Sequence, residues 1–491
     1  MSARGDVLNN PDLVMLIMSF NVTADNGLVI LSSPILPALL SFRCLFLRAM
    51  SVIDELRDNV DHISICSNLR DFVSSANMIQ WATDMGCEFP DSFICNVLAS
   101  EENLSMLQWA RSCTPPLSWS AVTSEQIAAT GNIRIMQWAR SVTPPCPWTE
   151  RTCSMAARRG QLELLQWMRS QDPPCPWDKR LSSSAASGGH LNVLQWMRDQ
   201  RPTPPWDEET SYMAACCGHL PVLMWMRSQS PPCPWGPLVC AGAAQHGHLS
   251  ILMYARSQEP PCPWDATTCS NAAAYGHLSM LQWVRRQNPP CPWNTTTLDC
   301  AAGCGFLPIV QWARAQAHPC PWSTSTCANA ARHNQLEVLQ WMRQQDVPCP
   351  WNELTCSAAA GNGHLSVLMW VRSQNPPCPW DETTTSTATL NGHLAILQWA
   401  RSQEPPCPWD TSTCYYAAHA GRLDILQWAR SQDPPCPWDK LTCLSAAASE
   451  QLETLRWARS QTPPCPWSKS DCLALAHLCP AVYEWISEQP E

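Results

Sequence analysis

The sequence predicts an all-α fold, a helical-repeat solenoid of about 14–15 helix-turn-helix units. Three observations support this prediction. The 27 tryptophans fall almost entirely into two series with a period of 29 residues. Apolar residues at helical spacing precede each tryptophan of one series. Glycine and proline occupy fixed places between these apolar segments, where they are typical of turns.

The two tryptophan series differ in their surroundings. The first mostly follows Leu-Gln segments and contains Trp109, Trp138, Trp167, Trp196, Trp225, Trp283, Trp312, Trp341, Trp370, Trp399, Trp428 and Trp457, with Tyr254 as the one aromatic substitute. The second mostly ends Pro-Cys-Pro-Trp segments and contains Trp119, Trp148, Trp177, Trp206, Trp235, Trp264, Trp293, Trp322, Trp351, Trp380, Trp409, Trp438 and Trp467. A solenoid of this kind offers a long surface rather than one catalytic cleft.

Residues 349–377 illustrate one unit. A short helix is expected over 356–361, with Thr355 as its N-cap. Gly363 marks a turn that requires positive φ. A longer helix with a leucine-rich face follows, and it ends before Pro376 because proline lacks a backbone donor. The prolines are expected to fix a turn whose tryptophan packs on the next unit.

The segment Ala-Ala-x-x-Gly-His-Leu-x-x-Leu at 359–368 resembles the inner half of an ankyrin repeat. The same segment recurs around His190, His219, His248 and His277, and around His393 with Thr389 for the second alanine. The period is 29 rather than the usual roughly 33 residues, and Pro-Pro-Cys-Pro-Trp replaces the hairpin finger. This form is similar to the short Cys-Pro-Trp ankyrin repeats of protists and giant viruses. The resemblance implies an ankyrin-like array over 61–491 that ends in a capping unit.

Residues 1–60 contain neither tryptophan nor the Pro-Cys-Pro signature. Two apolar segments there resemble a degenerate F-box at Pro11, Val14, Met18, Leu40 and Cys44. An F-box would imply docking to the linker subunit of a cullin ubiquitin ligase. The alternative is a helical cap on the solenoid. A membrane span is disfavoured, because the apolar run after residue 28 is short and is broken by prolines.

The overall charge and the amino terminus lead to expectations about partners and location. The net charge is −10, and the sequence pI is about 5.6. Phosphate backbones are bound by basic stripes, so we expect no nucleic-acid partner. The polar start at residues 1–6 does not resemble a signal peptide. We therefore expect a monomer in the cytoplasm, or in the host cytoplasm if the source is viral, with no membrane partner.

The 29 cysteines form two main classes. One class precedes the Pro-Cys-Pro-Trp tryptophan by two residues, and the other follows it by five. Reduced, buried thiols are the favoured interpretation, and zinc ligands and disulfides are the alternatives. Ser182, Ser211, Leu298 and Thr385 replace the second class, which favours a packing role. A zinc- or redox-responsive protein therefore stays an alternative function.

No motif indicates catalysis. The sequence lacks a phosphate loop, a nucleophile elbow and a His-Glu-x-x-His segment, so we expect no enzyme activity and no cofactor or metal. The histidines of the Gly-His-Leu segments are expected to form hydrogen bonds at the start of the second helix. The arginines of the Trp-x-Arg segments lie at the end of the second helix, where their positive charge is expected to complement the helix dipole.

Positions on the first helix differ from unit to unit, and ankyrin arrays bind partners through this concave side. The sequence therefore predicts a non-enzymatic scaffold that binds a protein partner along the concave surface, or alternatively an F-box-type substrate adaptor. The candidate partner-binding residues are Tyr212, Met213, Asn271, Asn329, Tyr415 and Tyr416.

Overall fold

The computed structural model describes residues 21–25, 28–32, 92–476 and 479–490. The first expected repeat, around Trp81, and the F-box-like residues 11, 14, 18, 40 and 44 lie outside the described residues. The boundary expected near residue 60 lies outside them as well, so it stays a prediction.

Twenty-eight α-helices follow one another in residues 92–490 as far as these are described, which confirms the helical-repeat solenoid. They form fourteen pairs. The first helices are α1 (Phe93–Ser100), α3 (Ala121–Thr130), α5 (Glu150–Arg158), α7 (Arg180–Gly188), α9 (Glu208–Cys216), α11 (Pro237–Gln245), α13 (Ala266–Ala274), α15 (Thr295–Gly303), α17 (Thr324–Arg332), α19 (Glu353–Gly361), α21 (Glu382–Leu390), α23 (Thr411–His419), α25 (Lys440–Ala448) and α27 (Lys469–Leu475). The second helices are α2 (Leu104–Ser112), α4 (Ile133–Ser141), α6 (Leu162–Ser170), α8 (Leu191–Asp199), α10 (Leu220–Ser228), α12 (Leu249–Ser257), α14 (Leu278–Arg285), α16 (Leu307–Arg314), α18 (Leu336–Arg343), α20 (Leu365–Ser373), α22 (Leu394–Arg401), α24 (Leu423–Arg430), α26 (Leu452–Ser460) and α28 (Pro480–Glu488).

A short β-hairpin lies ahead of the helices. Strands β1 (Asn21–Asp25) and β2 (Leu28–Ser32) pair antiparallel, with Asn21 opposite Ser32. These strands were not predicted from the sequence. The signal was present, since Asn-Gly between two β-branched segments is a strong indicator of a hairpin.

The first helices begin earlier than the sequence suggested. Helix α19 starts at Glu353 with Asn352 as its N-cap, so Thr355 lies three residues inside the helix. Related helices show why threonine recurs there. Thr152 Oγ1 accepts a hydrogen bond from the backbone N–H of Thr149, which is one half of a capping box. The predicted N-cap at Thr355 was therefore wrong by one helical turn.

The turn between the paired helices takes positive φ, as its glycine predicted. Gly363 has φ of 81°, and nine other glycines have φ between 64° and 82°. Asn334 and Glu450 take positive φ at two of the remaining turns. The loop after each second helix holds the prolines, and eleven of these loops contain a cis X-Pro bond.

The chain divides into two compact units, residues 1–234 and 235–491. Within each unit, successive first helices pack against one another, and each second helix packs mainly on the first helix of its own pair. Small residues allow this close stacking: residues 355–361 of α19 are all buried. The core is a row of alanine, cysteine and leucine side chains between the two helix layers. No helix in the described part of the chain is long and apolar enough to cross a membrane.

Candidate functional site

The arginine at the end of each second helix contacts the following loop. Arg343 lies 3.9 Å from the ring centroid of Trp351 and donates through Nη1 to the carbonyl of Cys349 at 2.6 Å. Trp351 also packs edge-to-face on Trp370 of the next second helix, with ring centroids 6.3 Å apart. A cation over an indole contributes about 0.5–2 kcal/mol, and an aromatic pair about 0.5–1.5 kcal/mol. The loop tryptophan therefore joins two successive second helices.

This arrangement repeats along the chain. In residues 235–490 the stacked arginines are Arg256, Arg285, Arg314, Arg343, Arg372, Arg401, Arg430 and Arg459. From the sequence, these arginines were expected to complement the helix dipole. Their contact with the ring was not predicted, because the arginine and the tryptophan lie eight residues apart across a loop.

The loop cysteines are held by the backbone around them. The N–H of Cys378 donates to the carbonyl of Val371 at 3.0 Å, and its thiol donates to the carbonyl of Asn352 at 3.4 Å. Cys356, on the first helix, donates its thiol to the carbonyl of Cys378 at 3.8 Å. Both cysteines are 0% exposed. A serine at the first-helix position bonds to the next carbonyl along the loop: Ser211 donates its hydroxyl to the carbonyl of Pro234 at 2.8 Å.

Burial makes these thiols poor metal ligands and poor nucleophiles. Desolvation raises the pKa of Cys146, Cys320 and Cys407 to about 12. The thiolate is the form that coordinates zinc or attacks an oxidant, and it is scarce at neutral pH. In the described ranges, no group of three or more His, Cys, Asp or Glu side chains is placed to hold a metal ion.

The histidines of the Gly-His-Leu segments bridge neighbouring repeats. His364 Nε2 lies 3.0 Å from the carbonyl of Arg332, at the end of the preceding first helix. His277 makes the same contact with the carbonyl of Gln245 at 3.1 Å. The side chain does not cap its own helix. The sequence-based expectation of a structural role fits this geometry, but the bond is between repeats rather than at the helix start.

The predicted partner-binding residues lie on four first helices. Tyr212 and Met213 lie on α9, Asn271 on α13, Asn329 on α17, and Tyr415 and Tyr416 on α23. All six are half-buried rather than freely exposed. The structure brings only the last two into direct contact, edge-to-face at 5.1 Å.

Two of these residues have defined surroundings. Tyr415 stacks on His419 with parallel rings at 6.3 Å. Asn271 donates its amide to the carbonyl of Ala241 on the preceding first helix at 3.2 Å. The tyrosine pair with His419 forms an aromatic patch, whereas Asn271 also has a role in stacking the repeats.

A further set of exposed polar side chains was missed. We define the helix-end row as the exposed residues that follow the first helices α11 to α21 at 29-residue spacing: His246, Tyr275, Cys304, His333, Asn362 and Asn391. Tyr275 is 52% exposed, and its hydroxyl accepts from the amide of Gln245 at 3.2 Å. Asn391 donates to the carbonyl of Gly361 on the preceding first helix at 2.8 Å. The sequence signal was the variability of the position just before each turn residue, which is Asn334 in one repeat and glycine in the others.

Comparison with known proteins is consistent with a helical repeat protein, and it does not identify a family. No protein-family model matches the sequence, and no curated protein matches it. The solved structures it is similar to include two of the pentatricopeptide repeat protein PPR10 in complex with an 18-nt psaJ RNA element, one of them with three cysteines replaced by serine. Each is 13% identical with a TM-score of 0.34, over 86% of this chain and 74% of that chain.

This finding corrects one expectation. The expectation of no nucleic-acid partner was wrong, because the two helical repeat proteins were determined in complex with RNA. The physical reason is that net charge describes a whole chain, whereas a repeat protein binds through one face. At this low similarity, the likeness does not identify what the present chain binds.

Proposed function

We propose that this chain is a non-enzymatic scaffold that binds an extended polypeptide along the exposed side of its first helices in residues 235–490. The observation that carries the proposal is a contrast between positions. The buried alanine, cysteine and leucine positions and the stacked arginines repeat from unit to unit. The exposed positions of the first helices and the helix-end row differ from unit to unit. A constant framework under a variable surface is the design of a binding repeat protein.

The spacing of the helix-end row suits an extended chain. Packed helices lie roughly 8–10 Å apart, and an extended chain advances roughly 3.3 Å per residue. One row residue therefore meets about every third residue of the partner. The amides and the tyrosine hydroxyl of the row can donate and accept hydrogen bonds, and each peptide unit offers one donor and one acceptor.

The aromatic patch of Tyr415, Tyr416 and His419 supplies the anchor. Tyrosines dominate the energetics of interfaces because a rigid ring buries a large area at a small entropic cost. The patch lies on α23, one repeat beyond the last member of the row.

A polypeptide suits this surface better than RNA does. The second-helix arginines of this unit are stacked on tryptophan rings. Arg332 lies directly beside the row, and the guanidinium of Arg422 packs over Gly392, next to Asn391. RNA binding depends on several phosphate neutralisations, and the surface beside the row carries few cations for that role. RNA remains the competing outcome of the experiment.

The test is affinity capture from eukaryotic lysate with and without ribonuclease. Full-length protein, the double variant Tyr415→Ala/Tyr416→Ala and the control Met369→Ala serve as baits. Met369 is 46% exposed on the second helix α20, away from the proposed face. A protein retained through ribonuclease by wild type and Met369→Ala, but lost by the double variant, supports the proposal. Capture that disappears on ribonuclease treatment identifies an RNA partner and overturns it.

The F-box-type adaptor is the finer alternative. It rests on the sequence match at Pro11, Val14, Met18, Leu40 and Cys44. The structure places the β1–β2 hairpin between the two matching segments, whereas an F-box joins helices. Capture of a cullin and its linker subunit by the full chain, but not after deletion of residues 1–60, would support the adaptor. Absence of both from the full-length capture would remove it.

A further inference from the structure

Buried thiols meet in pairs across repeat interfaces. In six repeats the first-helix cysteine donates its thiol to the carbonyl oxygen of the loop cysteine 22 residues further on, at 3.8–3.9 Å; the first-helix members are Cys153, Cys269, Cys327, Cys356, Cys414 and Cys443. Each pair joins the first helix of one repeat to the loop that opens the next. Both members of each pair are 0% exposed.

A substituted repeat shows how closely the two side chains approach. Ser211 occupies the first-helix position, and its hydroxyl lies 3.3 Å from the sulfur of Cys233 in the following loop. The side chain at this position therefore reaches the loop sulfur without any rearrangement of the backbone. Disulfide formation needs two sulfurs that already approach and point toward each other.

We propose that these six thiol pairs are oxidation sites, and that their disulfides lock neighbouring repeats together. Each step breaks two S–H bonds and forms one S–S bond. Hydrogen peroxide accepts the two electrons and two protons and becomes two molecules of water. This inference is separate from the proposed binding function, and neither depends on the other.

The burial of the pairs sets the conditions for the reaction. A closed interface protects both sulfurs, so oxidation proceeds when two neighbouring repeats separate locally. Repeat arrays open in this way because each unit contacts only its neighbours. The six bonds would close loops of 22 residues and would restrict the unfolded chain more than the folded one. The oxidised array therefore loses the ability to open repeat by repeat.

The experiment is peptide mapping of full-length protein after oxidation. Protein is treated with hydrogen peroxide in low urea, alkylated, digested without reduction and analysed by mass spectrometry. We expect the native pairs, such as Cys356 with Cys378 and Cys414 with Cys436. Three loop cysteines serve as internal controls, because Ser211, Leu298 and Thr385 replace the partners of Cys233, Cys320 and Cys407. These three should remain as thiols.

One variant tests pair specificity. Cys356→Ser copies the natural Ser211 and should fold. Cys378 should then stay reduced while Cys414 still pairs with Cys436. Oxidation of wild type should raise the unfolding midpoint by at least about 5 °C, reversibly with a reductant. Native pairs that remain alkylatable after peroxide in urea, or bonds distributed at random among all cysteines, would overturn the inference.

Discussion

The guanidinium of Arg372 lies 3.8 Å from the ring centroid of Trp380 and donates through Nη1 to the carbonyl of Cys378. Trp380 packs in turn on Trp399 of the next second helix, with centroids 6.1 Å apart. One arginine thus fixes the end of a helix, the following loop and the ring that contacts the next repeat. Since successive second helices pack mainly on their own first helices, this contact is a principal link between them.

We predict that Arg372→Met lowers the free energy of unfolding by about 1–3 kcal/mol, since it removes a cation–π contact and a charged hydrogen bond. Methionine keeps an apolar stem of similar length. Arg372→Lys should fall in between, because an ammonium keeps the charge without the planar stacking. Urea denaturation measures the change. The matched control is Arg286→Met at an exposed helix end, and equal stability of the two Met variants would refute the role of the stack.

The turn glycine offers a second matched pair of variants. Gly363 has φ of +81°, and a Cβ added there would lie 2.9 Å from the imidazole carbon Cε1 of His393. We expect Gly363→Ala to cost about 1–3 kcal/mol through backbone strain and crowding. Gly303→Ala is the control. Gly303 lies in helix α15, and a Cβ added there would be 3.4 Å from its nearest neighbour, Cδ2 of His333. It should be neutral or stabilise by up to about 1 kcal/mol.

Stability should fall at alkaline pH because of the buried thiols. Burial raises the pKa of Cys407 to about 12 in the folded state, against about 8.5 in an unfolded chain. Between these values the unfolded chain loses the proton and the folded protein keeps it. Stability from this group is thus complete below pH 8.5 and is lost as pH rises, by up to about 1.4 kcal/mol per pH unit. Urea midpoints at pH 8 and pH 10 measure the loss.

The variant Cys407→Ala isolates this contribution. Its stability should change less between pH 8 and pH 10, by up to about 2 kcal/mol relative to wild type. An identical pH dependence in the two proteins would show that this thiol does not titrate differently on unfolding.

We expect substitutions in the helix-end row to lower the affinity for the partner without lowering the stability of the fold. Tyr275 is 52% exposed, so Tyr275→Ala should cost no more than about 0.5 kcal/mol of stability. Loss of an exposed aromatic contact should lower the affinity for the captured partner by roughly fivefold or more. Calorimetry with purified partner measures the affinity. Unchanged affinity would place the partner outside the row.

The features set by local chemistry were predictable from sequence. The 29-residue period, the glycine turn at Gly363 and the helix end before Pro376 each follow from the backbone properties of single residues. The start of α19 was misplaced, because Asn352 and Thr355 are both good capping residues and the choice depends on the loop geometry.

Contacts between repeats were less predictable. The arginine–tryptophan stack and the bond from His364 to Arg332 join residues that only the packed loops and helices bring together. The helix-end row was overlooked for another reason. Its members share exposure rather than residue type, and exposure at the end of a helix depends on where that helix ends.

The most direct test of the central claim is hydrogen exchange of the full-length protein, alone and with its captured partner. We predict slower exchange, when the partner is bound, at first helices α13 to α23 and at the turns that carry Tyr275, Asn362 and Asn391. The exposed side of the second helices, around Met369, should exchange as in the free protein. Protection confined to the second helices, or protection that requires RNA, would contradict the proposed polypeptide-binding face.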